Sequence, residues 1–240
     1  MPAEAAPSFV WIPELEGATT GSGELELSLE ESHYLGRVCR VRPGDIVSGT
    51  DGRGAYAELR IVAVAQRVRA VITGLSRVAR ARRGWVCSGP PEGRRADWLV
   101  EKLAELGVEA WQPLECARGE WRTSAPTVAR WRRLAVAGLR QSRRPFLMEV
   151  RPPQPLEQAL GTLPPGSRLW LADSGGRRGL APPAGDACTV GLIGPAAGFD
   201  DREKARASSL GFEPICLSDG RLRSETAALA WALWWSMGSA

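Results

Sequence analysis

The residues best suited to chemistry lie in one stretch, Leu217-Ser-Asp-Gly-Arg-Leu-Arg-Ser-Glu-Thr-Ala227. Asp219, Arg221, Arg223 and Glu225 sit between an apolar run and a strongly apolar segment. A core junction has no use for so many charges, because each one must be paired or left in water. A ligand site does have a use for them. Arginine forks bind oxygens bidentately, and a carboxylate can orient them or cap a helix. Two other stretches, Leu171-Ala-Asp-Ser-Gly-Gly and Gly194-Pro-Ala-Ala-Gly-Phe, also follow an apolar run with small residues. Glycine lets the backbone approach a ligand closely, and a following helix start offers free N–H groups.

Several other chemistries are excluded. The five cysteines, Cys39, Cys87, Cys116, Cys188 and Cys216, are odd in number and form no Cys-x-x-Cys pair. Neither a disulfide framework nor a zinc site is expected. His33, the single histidine, leaves no His-rich metal site and makes a Ser-His-Asp triad a poor reading. The loop at Gly194 carries neither Gly-x-Gly-x-x-Gly nor Lys-Ser/Thr, so it is neither a dinucleotide fingerprint nor a P-loop. No metal is expected.

These loops need a scaffold. Residues 8–76 read as short strands, Ser8–Ile12, Glu24–Leu29, Asp45–Thr50, Ala55–Val64 and Val68–Leu75. Gly21-Ser-Gly, Arg42-Pro-Gly-Asp and Asp51-Gly-Arg-Gly separate them as turns. Close spacing of this kind predicts a small barrel or sandwich. One helical turn is expected within Glu30–Cys39, where His33, Arg37 and Arg40 recur at roughly helical spacing. That face is either an edge for a polynucleotide or a solvated surface. From residue 85 strands alternate with helices: Trp85–Ser88, helix Arg94–Leu106, Val108–Leu114, helix Pro126–Gln141, Met148–Val150, Arg168–Ala172, Ala187–Ile193, helix Asp200–Leu210, Glu213–Leu217 and helix Ser224–Met237. Gly107 and Gly211 mark helix ends, and Asp200 with Glu203 is spaced as a capping box. The proline-rich connector Arg151–Gly166 has room for one helical turn. Alternation predicts a mostly parallel sheet covered on both faces, with ligands outside the carboxyl ends of its strands. The expected domains are 1–76 and 85–240, joined by a linker at 77–84.

Charge adds a hint about partners. The net charge is +4 with a pI near 9.0, and it is unevenly spread. Arg60 to Arg83 holds seven arginines and no acid, and Arg118 to Arg151 holds nine against Glu120 and Glu149. Such clusters suit phosphate recognition, although Lys102 and Lys204 are the only lysines, so codon preference also inflates the arginine count. The longest apolar stretch, Ala227–Met237, is too short to span a bilayer. Met1–Pro13 has no basic n-region or apolar h-region, so no secretory signal is read and the expected location is the cytoplasm.

Order and spacing of motifs then add a family. His33-Tyr-Leu-Gly-Arg-Val-Cys-Arg, Arg42-Pro-Gly-Asp and Asp51-Gly-Arg-Gly come first. Asp97-Trp-Leu-Val-Glu-Lys-Leu-Ala-Glu-Leu-Gly-Val and Gln112-Pro-Leu follow, then Leu192-Ile-Gly-Pro-x-x-Gly-Phe and Leu222-Arg-Ser-Glu-Thr-Ala-Ala-Leu. Across almost the whole chain this resembles the bacterial RsmE family, 16S rRNA uridine-N3 methyltransferases of the SPOUT class. The resemblance implies an N-terminal PUA-like β-barrel and a C-terminal α/β domain with a deep trefoil knot and a mostly parallel sheet. It implies S-adenosyl-L-methionine as cofactor, held by Leu171, Ala172 and Asp173, by Ile193, Gly194, Pro195 and Gly198, and by Leu217, Ser218, Gly220, Leu222 and Arg223. Arg223 is the expected catalytic group, stabilising charge that develops on the base, and Glu225 orients it or caps the last helix. His33, Arg37, Arg40 and Arg53 are the expected RNA contacts. The implied partners are 16S rRNA or the small ribosomal subunit, and a second copy of the chain, with Trp231, Trp234 and Trp235 as candidate interface residues.

The sequence departs from the family pattern at its loops. Ala196 and Ala197 stand where the family has Glu and Gly; Ser218, Gly220 and Arg221 stand where it has Gly, Arg and Ile. Arg140 replaces a Glu, Glu92 a Lys and Ser8 an Arg. A catalytically weak or inactive SPOUT paralogue acting as an RNA-binding module is therefore the alternative to an enzyme.

Overall fold

The structure, a computed structural model, describes residues 8–21, 23–119 and 124–238. Ser22 of the first turn, Glu120 of the second arginine-rich stretch and the start of the N-terminal segment lie outside the described residues. The chain divides into two units, Met1–Arg80 with Leu139–Leu147, and Ala81–Gly138 with Met148–Ala240.

The first unit is a five-stranded sheet of β1 (Phe9–Trp11), β2 (Glu24–Glu26), β3 (Ile46–Thr50), β4 (Ala55–Val64) and β5 (Val68–Arg77), in the order β1-β3-β4-β5-β2. All pairings are antiparallel except β1 with β3. Strand β4 shows why the sequence was readable. Ala55, Ala57, Leu59 and Ile61 are buried, the last three in a core with Val10, Val47, Val68 and Ile72, while Glu58 and Arg60 face water. The Asp51-Gly-Arg-Gly turn is held by buried Asp51, whose Oδ1 accepts from the N–H groups of Arg53 and Ala55 at 2.6 and 3.0 Å. Ser28 caps α1 (Leu29–His33) by accepting from the Glu31 N–H. The chain then widens into a π-helical turn, Tyr34–Cys39, and closes on Arg40 in the left-handed region, φ 56°. The expected helical spacing of His33, Arg37 and Arg40 is thus altered after His33.

Within this unit Arg140 acquires a reason. Its guanidinium pairs with buried Glu31, lies 3.5 Å from Glu30, and stacks over the Tyr34 ring at 5.0 Å. Burial pushes the Glu31 carboxyl up, and Arg140 opposes that shift. The reversed charge at position 140 therefore neutralises an acid on α1.

The second unit is a parallel sheet. Its strands are β6 (Gly84–Ser88), β7 (Ala110–Glu115), β8 (Glu149–Val150), β9 (Gln154–Pro155), β10 (Arg168–Arg177), β11 (Thr189–Ile193) and β12 (Glu213–Ile215), in the order β12-β10-β11-β6-β7-β8, with β9 also on β7. Each pairing is parallel. Every residue of β6 and β11 is buried, as expected of strands covered on both faces. On one face α4 (Leu156–Gly161) and α5 (Asp201–Ser209) contribute Leu156, Leu160 and Ala207 to a core with Leu171, Val190 and Leu192. The other face carries α2 (Arg94–Leu106) and α6 (Ser224–Ser236), which pack on each other, with α6 also against β6 and β11. Helix α3 (Ala125–Ser142) brings Trp131 edge-on to Trp111 of β7, with ring centroids 4.8 Å apart. Gly107 ends α2 at φ 79°, and the Asp200–Glu203 capping box starts α5.

Two features were not legible. Strand β10 runs five residues past its expected end, because its register on β12 breaks between Ala172 and Arg177 and resumes beyond a bulge. The connector at 151–166 holds the short pair β7–β9 as well as the expected helical turn, α4. The end of α6 is tied down as well. Trp234 Nε1 donates to the Leu180 carbonyl at 2.9 Å, and Arg82 donates to the Gly238 and Pro183 carbonyls at 2.7 and 2.6 Å.

Two outcomes follow from this packing. Arg140→Met leaves Glu31 buried without its countercharge and is expected to lower stability by about 3–5 kcal/mol, whereas Glu31→Gln with Arg140→Met recovers most of it, measured by urea unfolding. Gly191→Val sets a branched side chain into the Trp231 ring, which occupies the space a Cβ would take. It is expected to cost about 1–3 kcal/mol, read as a lowered melting temperature.

Candidate active site

All strands of the second unit run parallel, so their carboxyl ends share one rim. Two neighbouring cavities lie along that rim in the order of the strands. The first, about 240 Å³, lies at the ends of β10, β11 and β12. The second, about 380 Å³, lies where the loops after β6 and β7 meet the start of α6. Pro195, Ala196, Ala197 and Ser224 line both and form the wall between them. Gly89 makes that wall tight: a Cβ there would press within 3.0 Å of Pro195.

Three loops build the first cavity. The β10 bulge brings Asp173 and Ser174 to its rim. Asp173 Oδ1 accepts from the Gly175 N–H at 2.8 Å, and Oδ2 pairs with Lys204 of α5 at 3.1 Å. The Gly175 hydrogen bond and Lys204 hold the Asp173 carboxyl below its ordinary range against partial burial. The second loop turns on Gly198, φ 74°, a conformation that costs a branched residue dearly. The third loop is braced at two points. Arg178 pairs with Asp219, and Arg221 Nη2 donates to the Ala196 carbonyl at 3.1 Å. Arg221 and Ala196 are both departures noted in the sequence, and they hold each other. The cavity between them is open.

The expected cofactor residues mostly converge here. Ala172, Asp173, Ile193, Gly194, Pro195, Gly198, Leu217, Ser218, Gly220 and Leu222 line the first cavity. Leu171 is buried in the core beneath it. Arg223 and Glu225 line the second cavity instead, with Arg95, Arg118 and Glu92. Glu225 is 8% exposed and its Oε1 lies 3.8 Å from Arg95 Nε. Cys116 lines the same cavity, but burial pushes its thiol up to about 12, which removes it as a nucleophile near neutral pH. His33, Arg37, Arg40 and Arg53 belong to the first unit and are exposed, with Arg53 paired to Glu16. Sequence reasoning missed Lys204, Arg95 and Arg118. Lys204 carried a signal in hindsight: it is one of two lysines and sits in the first turn of α5. Among the described residues no cluster of acids, cysteines and histidine is arranged to hold a metal, and no helix is long and apolar enough to cross a membrane.

Comparison with known proteins adds to this geometry. Residues 80–236 match the RNA methyltransferase domain family. Ribosomal RNA small subunit methyltransferase E of Synechocystis is 27% identical over 210 residues, covering 84% of this chain and 69% of that protein. The Bacillus subtilis protein of the same name is 25% identical over 218 residues, covering 83% and 84%. A crystal structure of ribosomal RNA small subunit methyltransferase E from Neisseria gonorrhoeae bound to S-adenosyl methionine superposes with a TM-score of 0.85 at 25% identity, over 94% of this chain and 95% of that one.

The Asp173 environment predicts an acid-limb effect. Because the folded carboxyl is held below its ordinary value, it adds stability above about pH 4, and that contribution is lost as pH falls through the lowered value. Asp173→Asn is expected to lower the denaturant midpoint at pH 7, and the gap to the parent protein is expected to narrow as pH falls through that lowered value.

Proposed function

The chain belongs to the RNA methyltransferase family, and from that premise we propose that it is an S-adenosylmethionine-dependent methyltransferase acting on N3 of a uridine in small-subunit rRNA. The fold is that of the SPOUT class, an α/β trefoil-knot domain with a parallel sheet accompanied by an N-terminal barrel-like sheet. The observation that carries the functional reading is the pair of cavities with a shared wall, one built from three cofactor-type loops and the other holding Arg223 and Glu225.

The first cavity suits the cofactor on its own chemistry. Ile193, Phe199, Leu217 and Leu222 give an apolar bed for a purine, Gly194 and Gly198 let backbone come close, and ionised Asp173 offers an acceptor for hydroxyl or ammonium groups. S-adenosylmethionine would supply a methyl group on a sulfonium, which leaves with its bond electrons on sulfur as the base nitrogen bonds the carbon. The chain's own residues align the two partners where the cavities meet beside Pro195–Ala197, and alignment alone can account for much of a rate enhancement. Arg223, an exposed residue that lines the second cavity, faces the base on this reading, where it would stabilise negative charge spread over the base's carbonyl oxygens. The open first cavity favours this reading over an RNA-binding module without catalysis.

By the same reading, His33, Arg37, Arg40 and Arg53 contact RNA through the N-terminal domain, residues 1–76, with 77–84 as linker and 85–240 as the methyltransferase domain. The protein acts in the cytoplasm as a homodimer.

Calorimetry with S-adenosylmethionine tests the cofactor and labelled methyl transfer to small ribosomal subunits tests the reaction. Saturable binding and 3-methyluridine in 16S rRNA are expected; absence of cofactor binding at millimolar concentration sinks the enzyme reading. Arg223→Ala is expected to lower kcat about 10²–10³-fold with cofactor affinity retained.

A further inference from the structure

We propose that Arg95, Glu225 and Arg223 form a donor–acceptor–donor array that reads the uracil edge, with Glu225 the acceptor of the N3 proton. This rests on the reading of the second cavity as the nucleobase site. The Watson–Crick edge of uracil presents an acceptor, a donor and an acceptor, namely O2, N3–H and O4. Its complement is a cation, a carboxylate and a cation in that order. The second cavity holds this set: Arg95 of α2 lies 3.8 Å from Glu225, and Arg223, two residues back along the chain, lines the same cavity.

Glu225 has the features such a role needs. It is the buried acid of that cavity, since Glu92 is exposed. Among the described residues its side chain meets only Ser224 Oγ, at a long 3.5 Å, and Arg95, beyond hydrogen-bond reach. Helix capping does not explain it, because the position before α6 receives no side-chain cap and Glu225 accepts from no backbone N–H of that helix. A buried carboxylate left with so much acceptor capacity is poised for a donor from outside. Uridine N3–H is such a donor. As that bond breaks, the proton moves to Glu225 and the electron pair stays on N3, the nucleophile. The negative charge on O2 and O4 then faces the two guanidinium groups. Cytosine mismatches the array at two positions, with a lone pair at N3 and an amino donor at N4.

The groups facing Glu225 are Arg95 from α2, Glu92 and Arg118 from the loops, Cys116, and Arg223 and Ser224 beside it.

The test uses the full chain. Uridine 5′-monophosphate and cytidine 5′-monophosphate are titrated into cofactor-free protein by NMR, and methylation of small subunits is followed. The parent protein is expected to favour the uridine nucleotide about tenfold or more. Glu225→Gln, which keeps the shape, is expected to narrow that preference and to lower kcat about 10²–10⁴-fold with little change in KM. Arg95→Ala, at an exposed position, is expected to raise KM and narrow the preference while the melting temperature holds. A folded Glu225→Gln protein with unchanged preference and kcat overturns the proposal. If the parent protein methylates no rRNA yet prefers uridine through Glu225, the array stands and the rRNA reading falls.

Discussion

The architecture of the catalytic half depends on two tryptophans seated on two glycines. Trp235 of α6 lies on Gly84 of β6, and Trp231 lies on Gly191 of β11, with no room for a Cβ at either position. The two rings are parallel, with centroids 6.2 Å apart, so one face of the helix becomes a flat plate on the two central strands. Large aromatic area against bare backbone is among the densest packing a helix and a sheet can make. It also fixes the height of α6 above the sheet. The helix starts where the carboxyl ends of the strands lie, so that height decides where Arg223 and Glu225 are held. Arg82 and Trp234 pin the far end through carbonyls of the segment that follows β10. A helix fixed at its far end and along its face presents its first turn with little freedom.

Sheet order does the rest. Because the strands are parallel, neighbouring loops at the rim belong to neighbouring strands. The order β12-β10-β11-β6-β7 therefore sorts the loops into a group of three and a group of two, with the β11 loop shared. The two cavities adjoin and share Pro195, Ala196, Ala197 and Ser224 as lining. The separating loop is made of small residues, Pro195, Ala196 and Ala197, which keep the wall thin. A larger acidic residue at 196 would thicken it and add charge.

Much of this was legible because local patterns agreed with the packing. Helix α2 was read to the residue, since its apolar positions Leu99, Val100 and Leu103 are all buried and Gly107 must adopt φ 79° to end it. Strand β4 was read to the residue from its alternation. What failed was non-local. The bulge in β10 depends on how two segments forty residues apart come back into register, and nothing in Asp173-Ser-Gly-Gly states that distance. Lys204 joins the rim of the first cavity only because α5 lies beside that bulge. The division between Arg223 and the loops of the first cavity was hidden for a related reason. Sequence shows Leu222 and Arg223 as neighbours, but the chain is extended at Arg223, φ −70° and ψ 158°, where successive side chains point to opposite sides, and these two line different cavities.

The departures from the family pattern make the same point about distance. Read along the chain they looked like losses: a carboxylate gone at 196, an arginine moved at 220 and 221, a charge reversed at 140. In space each meets a partner. Arg221 donates to the carbonyl of Ala196, so the two altered loops brace each other across the cavity. Arg140 meets Glu31, and the acid is neutralised where the ordinary glutamate would repel it. A chain drifting free of selection for its pocket accumulates changes that leave charges unpaired and cavities collapsed. Here Arg221 is bonded to Ala196 and Arg140 to Glu31, and the cavity beside Arg221 and Ala196 stands open. The loop chemistry has been exchanged while the site it encloses persists, and that is a reason to read the divergence as retuning of an active site.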